Sequence, residues 1–152
     1  MSPTLHTLLI LLHLLAAIVW VGGMFFAHFC LRPSAAELLA PPQRLPLLAA
    51  TLGRFFRYVA VAVPVLLATG LALLLQVGFR QAPVGWHVML TLGLLMSLVF
   101  AFIGLVLYPR LRAQCAAAAW PLAGVVMGQI RQLVALNLVL GLCTVVAAVL
   151  AR

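Results

Sequence analysis

Four apolar stretches, each of roughly 20 residues or more, fill most of this 152-residue chain and leave only short connections between them. Hydrophobic residues make up 67% of the sequence and charged residues 7%, and the mean hydropathy is +1.30. A soluble domain has about 25% charged residues, which it needs to cover its surface. The sequence therefore predicts an all-α fold, an integral membrane four-helix bundle.

We expect one transmembrane domain over residues 1–152, because four spans and their connections use the whole length. The spans are expected to run up-down-up-down. Their predicted ranges are residues 5–31, 58–79, 86–108 and 133–151.

Proline residues are predicted to end two of these spans. Arg32-Pro33 follows the first apolar run and Pro109-Arg110 the third, and proline disfavours helical geometry in the residue before it. Residues 33–47 are then predicted to form a loop rich in turn-forming residues. Residues 111–131 are predicted to form a helical connector near the cytoplasmic interface.

The arginines predict how the spans are oriented. The formal net charge is +8, from nine arginines and one acid, Glu37. Seven arginines fall in or beside the first and third connections, and only Arg80 and Arg152 lie on the other side. Cytoplasmic loops carry the excess of basic residues, so both termini are predicted to be periplasmic, in a bacterial inner membrane. Arginines clustered at span ends favour membrane topology over a nucleic-acid partner.

One face of the first span has a row of side chains that are mostly able to bind metal. At 100° per residue they fall within an arc of about 80°. Polar groups at bilayer depth are costly and point to function. His13 lies well inside the apolar run and has no carboxylate to pair with, so we predict that it is a metal ligand. The other members also suit interfacial positions or packing; the full row is His6, His13, Trp20, Met24 and His28.

His87 is the second histidine to consider, at the start of a span that runs parallel to the first. His13 lies deeper in its span, so the two can meet only if the helices are staggered or tilted. Met89 is a candidate thioether ligand that shares a face with Met96, but it points about 160° away from His87. One small site cannot easily use both His87 and Met89.

Two kinds of cofactor fit these residues. Neutral imidazole binds haem iron and copper alike, and two histidines from facing helices are the usual ligands of a b-type haem in a bundle. For haem, Arg80 is the candidate partner of the propionates. Copper as Cu(I) prefers thioether and thiolate ligands together with imidazole. No carboxylate lies within a span, which argues against acid–base catalysis.

Several motifs resemble the CopD (copper resistance D) family of integral membrane proteins. They occur in family order along nearly the whole chain. This resemblance implies a copper-handling protein with His13, and with it His87, at metal-site positions. The motifs are His13 through Phe26, Leu31-Arg32-Pro33, Pro42 through Pro46, Arg54-Phe55-Phe56-Arg57, Thr69-Gly70, His87-Val88-Met89, Tyr108 through Arg112, and Arg131 through Asn137 to Gly141.

The pattern is also similar to HemJ, a haem-binding protoporphyrinogen oxidase. The resemblance aligns His13 with the first-span histidine of HemJ. The sequence departs from HemJ at Met89, where that family has lysine, and at Leu138, where it has an acid.

The leading hypothesis is therefore an inner-membrane protein of copper homeostasis. A copper ion would bind in, or pass through, a site in the periplasmic half, lined by His13 and His87 and with His6, Met24 and Met89 as further candidates. The alternative is a b-type haem protein, for bis-His electron transfer or HemJ-like porphyrinogen oxidation. A structural membrane subunit without a cofactor is the third possibility.

The residues favour a protein that is not an enzyme; an enzymatic function would be that of a haem-dependent membrane oxidoreductase. His28, near the cytoplasmic end, is a candidate for a second site. The partners allowed by this interpretation are membrane lipid, a periplasmic copper carrier or redox partner, and further copies of the chain, but not nucleic acid.

Overall fold

The computed structural model describes residues 2–151, and its regular structure within that range is entirely helical. Four helices are long and apolar enough to cross a membrane, so the predicted all-α membrane bundle is confirmed. Helices of 31 to 37 residues are roughly 47–56 Å long at 1.5 Å per residue, which exceeds the hydrocarbon core of a bilayer. The helices are α1, Pro3–Leu38; α2, Pro41–Val77; α3, Val84–Ala116; and α4, Trp120–Leu150.

The two prolines predicted to end spans lie instead within continuous helices. Pro33 lies two residues after a π-helical turn at Ala27–Leu31, and Pro109 lies two residues after another at Ile103–Leu107. Proline has no N–H to offer, and its ring displaces the carbonyl four residues earlier. A π-helical turn accommodates this displacement inside a transmembrane helix, so both helices continue past their proline.

The connections are correspondingly shorter than predicted. The loop predicted over residues 33–47 is wrong, because α1 continues to Leu38 and α2 begins at Pro41. A proline in the first turn of a helix is tolerated, since its missing N–H would have no partner there. The predicted connector over residues 111–131 is also not a separate element. It consists of the end of α3, the turn at residues 117–119 and the start of α4.

The helices pack as an antiparallel bundle. α1 packs on α2, α2 on α3 and α3 on α4, and the second half of α1 also contacts α4. Two glycines permit close approach in the middle of the bundle. A Cβ on Gly23 would overlap the ring of Phe55, and a Cβ on Gly53 would overlap the hydroxyl of Tyr108. These contacts join α1 to α2 and α2 to α3, which are neighbours in the sequence, as an up-down-up-down arrangement requires.

The buried core is concentrated in the half of the bundle that carries most of the arginines. Side chains such as Val59, Ile103 and Leu111 are almost fully buried there. Towards the other half, Trp20 packs edge-on against Phe100, with ring centroids 6.3 Å apart. Beyond this pair the N-terminal part of α1 packs chiefly on α2, and its leucines face outward. The half that contains His13 is therefore the more open one.

Candidate metal site around His13

His13 lies half-buried in α1, against α2. Its Nδ1 is 2.9 Å from the hydroxyl oxygen of Thr69, a buried residue. That hydroxyl is 2.7 Å from the carbonyl oxygen of Val65, one turn earlier in α2, and donates its only proton there. With the hydroxyl proton on that carbonyl, Thr69 Oγ1 accepts a hydrogen bond from the Nδ1–H tautomer of His13.

This chain of hydrogen bonds suits the tautomer of the neutral His13 ring that has its proton on Nδ1. The carbonyl of Leu66, 3.2 Å from the Thr69 hydroxyl, also interacts with His13, so α2 presents hydrogen-bond acceptors to the ring. With the proton on Nδ1, a neutral imidazole has its lone pair on Nε2. Metal-binding histidines are usually held in this way, with one N–H donated to an oxygen and the other nitrogen on the metal.

Gly70 gives the His13 ring the room it needs. A Cβ at Gly70 would lie 2.9 Å from His13 Cε1, closer than an ordinary contact. The hydrogen bond between Thr69 and His13 was not predicted from the sequence. The available signal was that two polar side chains in apolar helices need partners inside the bundle.

His6 makes a matching contact two turns earlier in α1. Its Nδ1 is 3.0 Å from Oε1 of Gln76. His6 lies seven residues before His13 on α1, and Gln76 lies seven residues after Thr69 on the antiparallel helix α2. The two pairs are therefore successive contacts between the same helices, about 10 Å apart along the helix axis. His6 and His13 share a face but cannot bind the same ion.

Trp20 and Met24 continue this face of α1 into the core, each only 2% exposed. Met96 of α3 is equally buried, and its carbonyl accepts a 3.0 Å hydrogen bond from Nδ2 of Asn137 on α4. This hydrogen bond joins α4 to α3 inside the bundle. Its Oδ1 is buried and has no hydrogen-bond partner among residues 2–151.

His87 contacts the connection between α2 and α3. Its Nε2 is 2.9 Å from the carbonyl oxygen of Phe79, and its Nδ1 is 3.3 Å from that of Pro83. The ring also packs edge-on against the Phe79 ring, with centroids 4.6 Å apart. Both nitrogens face main-chain oxygens, so a metal on His87 would displace one of these contacts.

The structure does not bring His87 to His13. Thr69 marks the level of His13 on α2, and the helix continues from there to Val77 before the connection that His87 contacts. Eight residues of helix rise about 12 Å, so the two histidines lie at different levels of the bundle. The stagger or tilt that a shared site requires is therefore absent from this arrangement.

Met89 and Arg80 also lie away from the helix pair that holds His13. Met89 is half-buried on α3, and Arg80 is exposed in the connection after α2. Within residues 2–151, no three His, Cys, Asp or Glu side chains are placed to hold one metal ion. An ion on His13 would therefore take part of its coordination from thioethers, main-chain oxygens or another molecule.

His28 lies at the other end of α1, fifteen residues and roughly 22 Å from His13. It borders a groove between α1, α2 and α4 together with Arg32 and Arg131. His28 is therefore too far from His13 to share its site. It stays a candidate for a second site.

A comparison with known protein families shows the family to which this chain belongs. The family description Copper resistance protein D (CopD) matches residues 49–151. The chain belongs to the CopD family. It is a multi-pass membrane protein of a family named for copper resistance. The CopD match includes Thr69, Gly70 and His87, whereas His13 lies before it. No curated protein and no solved structure matches the chain, and a similarity to HemJ is not shown.

Proposed function

We propose that this CopD-family protein acts in copper homeostasis by binding a copper ion, or passing it on, through a site centred on His13. The observation that carries the proposal is the hydrogen-bond chain from His13 Nδ1 through the Thr69 hydroxyl to the Val65 carbonyl. This chain orients the imidazole so that Nε2 is available as a ligand. The copper-resistance description of the family supports copper as the ion.

Copper is the cargo in this proposal, and the face of α1 that contains His13 is its route. His6 precedes His13 on that face, and the thioether of Met24 follows it about 16 Å deeper in the bundle. Imidazole and thioether are both ligands that suit Cu(I). The positive-inside bias of the arginines supports a periplasmic position for the His13 end.

The roles proposed for His87, Met89 and Arg80 are weaker. His87 and Met89 would join the copper route only if α3 approached the N-terminal part of α1. We assign His87 mainly to holding the connection after α2, because both of its ring nitrogens face main-chain oxygens. Arg80 would have a role only if the protein bound a haem, as the partner of its propionates.

Competition between the purified full-length protein and a chromophoric Cu(I) chelator tests the proposal. Replacing His13 by alanine is expected to weaken Cu(I) binding by at least about tenfold, because the central ligand is lost. Thr7→Ala is the matched control, since it removes a polar side chain of the same helix whose hydroxyl bonds only to the carbonyl of Pro3 in that helix. Equal affinity of the wild type and His13→Ala would show that the site is elsewhere.

A further inference from the structure

Two methionines on opposite helices are almost fully buried inside the bundle. Met24 lies on α1 and Met96 on α3, and both belong to the same buried cluster. α1 and α3 lie diagonally across the bundle, because each of them packs on both α2 and α4. A buried side chain on either helix therefore faces the interior, so both thioethers lie between the helices and not against lipid.

Asn137 on α4 brings a polar atom without a partner to the same interior. The side chain is 2% exposed, and its Nδ2 donates a 3.0 Å hydrogen bond to the Met96 carbonyl oxygen. This bond identifies the other arm of the amide as Oδ1, which is buried and has no hydrogen-bond partner within residues 2–151. A buried acceptor without a partner costs free energy, so this oxygen favours an occupant that carries a proton or a positive charge.

The contacts of Gly141 place the two methionines and this oxygen at one level of the bundle. A Cβ on Gly141 would lie 3.3 Å from the terminal methyl of Met96 and 3.0 Å from a methyl of Val21 on α1. Met24 follows Val21 by three residues, and Asn137 precedes Gly141 by four. Because α1 and α4 are antiparallel, both steps lead about 5–6 Å in the same direction. Met24 therefore reaches the level of Asn137, which is bonded to Met96.

We propose that Met24, Met96 and Oδ1 of Asn137 form a second and weaker Cu(I) site in the interior of the bundle. Thioethers suit Cu(I), and a side-chain amide or main-chain oxygen is known as a weak further ligand of copper. Methionine has three rotatable bonds, so the two sulfurs can turn towards an ion while the helices stay in place.

The interior site is expected to be weaker than the site at His13. The sequence has one acid, Glu37, which is exposed near the end of α1, so no charged ligand balances a cation in the interior. The site would therefore fill only when Cu(I) is in excess. This inference rests on the proposed function, since it takes copper as the cargo and gives it a position about 16 Å beyond His13.

Equilibrium dialysis of full-length His13→Ala against excess Cu(I) tests this proposal, with elemental analysis and X-ray absorption as the readouts. The variant lacks the tighter site, so the copper that it takes up reports on the interior. The three free cysteines, Cys30, Cys115 and Cys143, are replaced by alanine in every protein of this test, so that any sulfur bound to copper belongs to methionine. We expect copper to be bound, with sulfur among its neighbours.

Met96→Leu in this background is expected to weaken the binding by at least about tenfold, as much as the loss of a group that only orients a ligand costs. Leucine nearly conserves the volume of methionine, so the fold is retained. Met127→Leu is the matched control, because Met127 is half-buried and lies outside the proposed site. Asn137→Ala keeps both thioethers and is expected to weaken the binding by a smaller factor than Met96→Leu.

Three results would overturn the proposal: no uptake of copper, copper without sulfur neighbours, or equal affinity of Met96→Leu and Met127→Leu. Unchanged binding in Asn137→Ala would overturn the assignment of Oδ1 as a ligand and would leave water as its partner. These failures differ from a failure of the proposed function, which would appear as equal Cu(I) affinity of the wild type and His13→Ala in the chelator competition.

Discussion

Thr69 Oγ1 on α2 lies 2.9 Å from Nδ1 of His13 on α1 and 2.7 Å from the Val65 carbonyl oxygen, to which its hydroxyl donates. The contact satisfies two polar side chains inside apolar helices. It joins the two helices in the half of the bundle where α1 has few other neighbours. It also determines which ring nitrogen is available to a ligand, so changes at Thr69 should affect both packing and binding.

Thr69→Val tests the orienting role of the hydroxyl while nearly preserving the shape of the side chain. Losing a group that orients a metal ligand costs about 10- to 100-fold in metal affinity, and we expect a Cu(I) affinity reduced within that range. Thr69→Ser keeps the hydroxyl and is expected to bind nearly as tightly as the wild type. The chelator competition assay measures the Cu(I) affinity of all three proteins. A wild-type affinity in Thr69→Val would show that the hydroxyl does not orient the metal ligand.

Gly70→Ala tests the close approach of the His13 ring to α2. The added Cβ would lie 2.9 Å from Cε1, so the ring or the helix must shift. We expect a loss of about 1–3 kcal/mol in the free energy of unfolding, together with weaker copper binding. Gly128→Ala is the control, because a Cβ there has nothing within 4 Å, and it is expected to stabilise its helix by about 0.5–1 kcal/mol. Denaturant unfolding in detergent measures whether each variant has a lower or a higher free energy of unfolding than the wild type.

His87→Ala tests whether this histidine holds the connection after α2. Its contacts with the carbonyls of Phe79 and Pro83 would be lost, so amide hydrogen exchange in residues 78–83 is expected to become faster. Copper affinity is expected to stay at the wild-type value, because His87 lies about 12 Å from the level of His13. A large loss of copper affinity with unchanged amide hydrogen exchange would show that His87 is a metal ligand instead.

Asn137→Ala tests the hydrogen bond that joins α4 to the Met96 carbonyl of α3. Interhelical hydrogen bonds in membrane proteins contribute on average about 0.6 kcal/mol and up to about 1.7 kcal/mol, and we expect a loss of unfolding free energy in that range. Ser97→Ala removes a hydroxyl that bonds only to its own helix at Gly93, and it should cost less. Equal costs for the two variants would mean that the interhelical bond contributes little.

Hydropathy was sufficient to predict the number of helices and the membrane fold, because a lipid-exposed backbone must satisfy its hydrogen bonds within each helix. The helix ends were predicted less well. Pro33 and Pro109 have the usual sequence context of helix ends, but the preceding π-helical turns let both helices continue. Nothing in the residue types alone distinguishes a terminating proline from an accommodated one.

The candidate site, too, could be predicted from the sequence only in part. The helical period places His6 and His13 on one face, and their contacts with Gln76 and Thr69 show that this face meets α2. The partner residues depend on the register between two helices, which the sequence of either helix does not contain. The distance to His87 likewise depends on where α2 ends and the connection turns.

The most direct test of the central claim is the metal content and visible spectrum of the purified protein, compared between the wild type and His13→Ala. The account predicts a protein that lacks a Soret band and contains copper by elemental analysis, and a His13→Ala variant from which that copper is lost. A Soret band that disappears in His13→Ala, or copper retained in full by this variant, would contradict it.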